Sequence, residues 1–253
     1  MARCLLVVPC FNEEARLDRA AFSALACAPD LHLLFVDDGS SDGTLRVLEG
    51  LRAASPGRVT VLGLPTNAGK GEAVRQGMLA GLARGMDVVG FADADLATPP
   101  DELVRLRDEL LASDLKVVVG SRVMIMGTNI KRHLWRHILG RAFATVAANI
   151  LDMPFYDTQC GAKYFRDTPA LHEALARPFL SRWVFDLELL GRLHIGSRAG
   201  EAIPMEQFRE IPLRQWVAVA DSKLTVRSMS RVLLDLPRID RELARLRAAR
   251  RPT

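Results

Sequence analysis

The sequence predicts an α/β fold built on a doubly wound, mostly parallel central sheet with helices in layers on both faces. Three observations predict it. Residues 4–8, 31–36 and 88–92 are short continuous apolar runs, the pattern of strands buried on both faces. Each run stops at acidic and small polar residues: Pro9-Cys10-Phe11-Asn12-Glu13-Glu14, Asp37-Asp38-Gly39-Ser40-Ser41-Asp42-Gly43-Thr44 and Asp93-Ala94-Asp95. Segments of helical periodicity separate the runs, and ligands of such sheets sit beyond the carboxyl ends of the strands.

Element by element, residues 14–27 read as a helix after the first strand. The run at 31–36 enters a turn-rich stretch that can cap the helix beginning after Thr44. A strand over 59–64 and a helix over 69–83 follow. Beyond the strand at 88–92, Pro99 marks a helix start, and a strand occupies 116–120. Residues 131–151 are helical and apolar almost all round, through Trp135, Ile138, Leu139, Phe143, Val146 and Ile150, as in a core helix. A loop feeding a strand is expected over 155–166, a helix over 187–195, extended chain over 201–216, and a helix over 224–250 broken at Pro237. The expected division is a catalytic domain over residues 1–223 and a basic amphipathic helical extension over 224–253.

Composition narrows the function classes. With 253 residues, 49% hydrophobic and 25% charged, the chain can bury a substantial core and is not disordered by composition. The four cysteines lack metal-ligand spacing and nothing reads as a signal peptide, so a reducing cytoplasm is expected. No apolar run approaches the roughly 18 residues of a membrane span. A net charge of +4, with three Trp and two Tyr, supplies no basic-aromatic platform, so no nucleic-acid partner is expected. The five histidines have no partner spacing and receive no catalytic role.

The most informative chemistry lies in Asp93-Ala94-Asp95. Side chains at i and i+2 of a strand share a face, so both carboxylates can converge on one hard cation where the strand meets solvent. A divalent ion that uses few carboxylates and fills its other sites with phosphate oxygens behaves as Mg²⁺ or Mn²⁺. By itself such a pair is more often a solvated turn or a helix cap.

Together, the motifs at residues 8–14, 36–44 and 93–95, with Asn67-Ala68-Gly69-Lys70-Gly71, resemble the family 2 glycosyltransferases of the GT-A fold. Further along, Gly120-Ser121-Arg122, Asp157-Thr158-Gln159-Cys160-Gly161-Ala162-Lys163, Arg182-Trp183-Val184-Phe185-Asp186 and the segment from Trp216 to Ser222-Lys223 are similar to the dolichyl-phosphate glucosyltransferase branch. The resemblance implies that Pro9, Asn12 and Glu13 shape the nucleotide pocket, that Asp38 binds base or ribose, and that Lys70 lies near the nucleotide. Asp93 and Asp95 would hold the donor diphosphate through the metal. For Asp38 and Asp42, turn formation and capping alone is the competing reading.

It likewise places Asp157, Gln159, Lys163, Trp183 and Asp186 on the sugar and acceptor side, with Asp186 the candidate base and Asp157 a second catalytic candidate. Arg122 and Lys163 suit anion contacts, since Arg offers a planar fork and Lys a point charge; a surface ion pair is the alternative for each. Trp183 reads equally as core packing or as a sugar platform. Two departures stand out: Ala97 occupies the place of a Gln common in polyprenyl-phosphate mannosyltransferases, and Ala162 replaces an aromatic residue. The implied reaction is inverting transfer of a hexose, glucose from UDP-glucose before any GDP-sugar, to a polyprenyl phosphate. A soluble or cell-envelope hydroxyl acceptor and a non-catalytic nucleotide-sugar-binding role are the alternatives. Over 224–250, Val226, Met229, Leu233, Leu236, Ile239, Leu243 and Leu246 form a stripe flanked by arginines. Such a helix either lies on the anionic inner face of a membrane or packs its stripe on the domain.

Overall fold

A computed structural model describes residues 2–124, 126, 129–130, 134–196, 201–217 and 226–250, with the side chains of 129–142 and 226–233 outside the description. In chain order the strands are β1 (Cys4–Cys10), β2 (Leu31–Asp37), β3 (Val59–Gly63), β4 (Val88–Ala92), β5 (Val117–Ser121), β6 (Asn129–Ile130), β7 (Ala162–Arg166), β8 (Phe208–Pro212) and β9 (Gln215–Trp216). Seven of them form one sheet in the order β3-β2-β1-β4-β7-β5-β8, while β6 and β9 pair separately. Every pairing in the large sheet is parallel except those of β7, which runs antiparallel to both β4 and β5.

The registers explain where ligands can reach. Cys10 pairs with Asp37 and Val7 with Phe91, so β1, β2 and β4 finish at one edge. Because β7 is reversed, with Ala162 opposite Ala92, its first residues meet that edge. Pro9 lies beyond the last β4 partner of β1, a place where a missing N–H is tolerated.

Helices cover both faces: α1 (Arg19–Ala26), α2 (Thr44–Ala54), α3 (Lys70–Ala83), α4 (Pro100–Leu111), α5 (Leu134–Leu151), α6 (Pro169–Ala176), α7 (Phe185–Ile195) and α8 (Val226–Arg250). One face of the sheet buries Val7, Val36, Phe91 and Phe165 against α3, α6, α7 and α8; the other buries Leu6, Phe35 and Tyr164 against α1, α2 and α4. Fully burying side chains of this size contributes about 1.5–3 kcal/mol each, which is why continuous apolar runs were a sufficient strand signal.

Several boundaries differ from expectation. The first helix starts at Arg19 and not near Glu14, because Asp18 caps it by accepting from Ala21 N at 2.9 Å. Helix α7 begins two residues earlier than its periodicity suggests and so carries Asp186 in its first turn. Helix α6 was not anticipated, although Thr168 as cap and Pro169 at the first helical position are a start signal. The expected break at Pro237 does not occur: α8 runs through it. A proline deletes one helical hydrogen bond, and burial of Leu236 and Ile239 on either side holds the helix together.

Leu236, Ile239 and Leu243 of α8 are buried in the core, and Arg247 donates to Ile150 O at 2.5 Å. For residues 234–250, then, the packing alternative describes the stripe. Residues 218–225, with Ser222 and Lys223, lie outside the described residues. In α5, Ala147 and Leu151 are buried while Val146 is exposed; Trp135, Ile138 and Leu139 fall outside the described side chains.

All four cysteines are free thiols, and only Cys27 is exposed. Burial pushes the Cys4 thiol up to about 11 and the Cys160 thiol up to about 12. Since the thiolate is the nucleophile, brief iodoacetamide treatment of the native protein at pH 8 should modify Cys27 and spare Cys4 and Cys160. Peptide mass mapping reads this directly, and early alkylation of Cys160 would contradict its packing.

Candidate active site

The loops after β1 and β2 are stitched together. Asn12, in the left-handed region at φ 51°, accepts from Ser41 N at 2.9 Å, and its own N–H donates to Ser40 Oγ at 3.0 Å. Glu13 N donates to Thr44 Oγ1 at 2.7 Å. Asp42 accepts from Thr44 N at 3.0 Å and Glu14 N at 3.2 Å, so its carboxylate organises the turn. Burial opposes ionisation there, yet the Thr44 donors hold the Asp42 carboxyl below its ordinary value.

Asp38 is buried and faces the loop 67–69. Its Oδ1 accepts from Ala68 N at 2.7 Å; its Oδ2 accepts from Gly69 N at 2.8 Å and Asn67 Nδ2 at 3.0 Å. Burial pushes its carboxyl up, against the pull of the Ala68 and Gly69 amides.

Beyond β4, Asp93 and Asp95 sit one residue apart in a tight turn. Lys70, at the start of α3, places Nζ 2.5 Å from Asp93 Oδ1. Asp95 Oδ1 accepts from Ala97 N at 3.0 Å, and Oδ2 lies 3.9 Å from Arg16 Nη2. Burial and the neighbouring charge of Asp93 raise the Asp95 carboxyl above its ordinary value. Burial alone would lower the Lys70 ammonium's pKa, but Asp93, Asp186 and Asp95 outweigh it and raise it.

Among the described residues no group of three or more His, Cys, Asp or Glu forms a closed metal cage. The pair Asp93 and Asp95 has the donor set of an open site. Two crowded carboxylates, one pushed toward its neutral form, match a divalent cation that takes its remaining ligands from diphosphate and water.

Gly161 makes that corner possible. A Cβ built there would lie 2.0 Å from Asp93 Oδ2, so Gly161→Ala should swing the Asp93 carboxylate out of place. The expected result is a loss of activity of about 10²-fold with little change in melting temperature; near-normal turnover would mean that Asp93 tolerates the displacement.

The second half of the chain closes the site from the β7 side. Lys163 is fully buried, and its ammonium donates to Cys160 O at 2.6 Å and to Asp186 Oδ1, 5.1 Å from the centre of the Phe91 ring. It is thus neither presented to solvent nor part of a surface pair. Arg122 grips Asp157 with Nε at 2.6 Å and Nη2 at 2.7 Å, with Trp216 stacked at 5.7 Å. Gln159 N donates to Asp157 Oδ1 at 3.2 Å. Trp183 is half-exposed in the turn before α7.

Three supporting residues escaped sequence reasoning. Glu210 of β8 accepts from Tyr156 N at 2.7 Å and Asp157 N at 2.6 Å, with burial pushing its carboxyl up. Arg182 donates to Asn67 O at 2.6 Å, Asn67 Oδ1 at 2.5 Å and Ala68 O at 3.0 Å. Asp235 of α8 accepts from Ser181 Oγ at 2.7 Å, and Ser181 Oγ accepts from Val184 N at 3.0 Å. The contacts of Glu210 and Asp235 cross more than fifty residues, so spacing gives no signal for them; Arg182 lies inside a motif already singled out.

The loops after β1 and β2, the aspartate pair beyond β4 and the lysine that starts α3 thus gather at one edge of the sheet. The family model described as Glycosyl transferase family 2 matches residues 5–168, and the chain belongs to that family. Polyprenol monophosphomannose synthase of Mycolicibacterium smegmatis is 34% identical over 165 residues, 65% of this chain and 62% of that protein. Dolichyl-phosphate beta-glucosyltransferase of Drosophila melanogaster is 34% identical over 236 residues, 87% of this chain and 68% of that protein. The chain therefore spans only 62% and 68% of the lengths of these two relatives. In fold it is similar to glucosyl-3-phosphoglycerate synthase from Mycobacterium tuberculosis, solved with Mn²⁺, uridine diphosphate and phosphoglyceric acid. The TM-score is 0.68 at 17% identity, covering 96% of this chain and 78% of that one. The architecture is the three-layer GT-A fold.

Proposed function

We propose that this chain is an inverting, metal-dependent hexosyltransferase that moves glucose from UDP-glucose to a polyprenyl phosphate. The observation that carries the reading is the meeting of Lys70, Asp93 and Asp95 with Asp186 at the carboxyl edge of the sheet. Pro9, Asn12, Glu13 and Asp38 border the nucleotide side. Asp93 and Asp95 would hold Mg²⁺ or Mn²⁺, which when bound neutralises charge developing on the departing diphosphate. Lys70 adds a fixed positive charge beside the same oxygens.

Asp186 has Oδ1 engaged by Lys163, and in this reading its carboxylate orients a sugar hydroxyl or takes a proton. A lipid phosphate, with a second pKa of about 6, arrives ionised and needs no base, and a single displacement inverts the anomeric centre. Arg122, held by Asp157, and Gln159 and Trp183 belong to the acceptor side in this reading.

No helix among the described residues is long and apolar enough to cross a membrane. Peripheral contact at the inner membrane face would use the outward side of α8, where Arg238 and Arg245 are 66% and 79% exposed. Residues 236–243 cannot be deleted to test this without opening the core. Arg238→Gln with Arg245→Gln should instead weaken binding to anionic liposomes, and salt should weaken it further for the wild type. The deciding assay offers UDP-glucose and GDP-mannose with Mn²⁺ to lipid phosphate and to water-soluble alcohols. Faster transfer to an alcohol than to any lipid phosphate would replace the polyprenyl acceptor with a hydroxyl acceptor.

A further inference from the structure

The loop 67–69 lies between two opposite charges. On one side the Asp38 carboxylate accepts from Asn67 Nδ2, Ala68 N and Gly69 N. On the other the Arg182 guanidinium donates to Asn67 O, Asn67 Oδ1 and Ala68 O. The anion takes the N–H donors and the cation takes the carbonyls, so the Asn67 amide bridges Asp38 and Arg182 through its two ends. Gly69, at φ 99°, leaves space for the arginine stem: a Cβ built there would meet Arg182 Nε at 2.5 Å.

This bracket joins the two halves of the site. Residue 70 follows the loop directly and carries the ammonium paired with Asp93. Arg182 O accepts from Gly71 N at 3.1 Å, tying the start of α3 to the turn that leads into Asp186. A Cβ at Gly71 would meet Phe185 Cβ at 2.9 Å, so the two helix starts are in close contact.

We propose that Arg182 is a positioning residue for sugar transfer: acting through residues 67–69, it fixes Asp38, Lys70 and Asp186 in one arrangement, and itself touches neither donor nor acceptor. The proposal rests on the glycosyltransferase reading above. The planar fork suits the task because three acceptors in different directions are met by one rigid group, which a lysine ammonium cannot imitate.

Arg182 is exposed, so its replacement should leave the fold intact. Hydrogen exchange should then show the Ala68 and Gly69 amides exchanging at least about tenfold faster in Arg182→Ala, with β1 amides unchanged. Turnover should fall by about 10²-fold, with donor KM changing much less, and Arg182→Lys should recover little of it. Combining Asn67→Ala with Arg182→Ala should cost no more than the larger single loss, because both break the same bracket. Unchanged exchange at Ala68 and Gly69 overturns the proposal. So do additive losses in the double variant, which would put the guanidinium on the substrate. A wild type that transfers no sugar at all would sink the proposed function, and the exchange result would still decide the bracket.

Discussion

Asp95→Asn should abolish sugar transfer while leaving the melting curve nearly unchanged. The amide oxygen can still accept from Ala97 N, now at 3.0 Å from the carboxylate, so the turn after β4 keeps its hydrogen bond. What disappears is the charge. A neutral Asn beside Asp93 removes half of the carboxylate pair that would hold a divalent cation, and with it the neutralisation of the leaving diphosphate. Turnover is to be measured at saturating Mn²⁺ beside thermal unfolding. Activity within about tenfold of wild type, roughly 1.4 kcal/mol of barrier, would remove the metal role of this residue.

Lys163→Met should cost more stability than any surface change. It leaves the Asp186 carboxylate, 5% exposed, without its cation, and stripping one partner from a buried ion pair destabilises by about 3–5 kcal/mol. Replacing both partners, as Lys163→Met with Asp186→Leu, should restore most of that loss in denaturant unfolding while transfer stays absent. A single variant costing below about 1 kcal/mol would place the pair in water.

The sequence made the strands legible because each is buried on both faces, so its apolar run needs no knowledge of neighbours. Glu13, Asp38, Lys70, Asp93 and Asp95 were legible for a related reason: they follow those runs, and the parallel connections bring run-ends to one edge. Pairing order was not legible. Nothing local to residues 162–166 says that they insert antiparallel between β4 and β5, and with that placement hidden, the inward direction of Lys163 was hidden too. A helix terminus escaped where a side-chain cap competed with periodicity, as Asp18 did at α1, and α6 escaped whole although Thr168 and Pro169 signal its start. Pro237 misled because its local cost was weighed without the burial of Leu236 and Ile239. Arg182, Glu210 and Asp235 act on segments far away in sequence, and their partners appear only once the chain is folded.

The reversed strand β7 carries a consequence for folding fidelity. Alternate residues of a strand face opposite sides, so a slip of one position turns every side chain over. Here such a slip would bring Ala162 or Tyr164 to Asp186 and push the Lys163 ammonium among Leu6, Phe35 and the other apolar groups of the opposite face. Apolar neighbours such as Val118 or Phe165 discriminate weakly between registers, since hydrophobic side chains of similar bulk can exchange places. A buried charge cannot. The Lys163–Asp186 pair therefore works as a key cut into an otherwise permissive strand: the chain that closes this sheet in the wrong register leaves two ions unmatched, and the alignment of β7 is enforced by the same carboxylate that the proposed reaction would use.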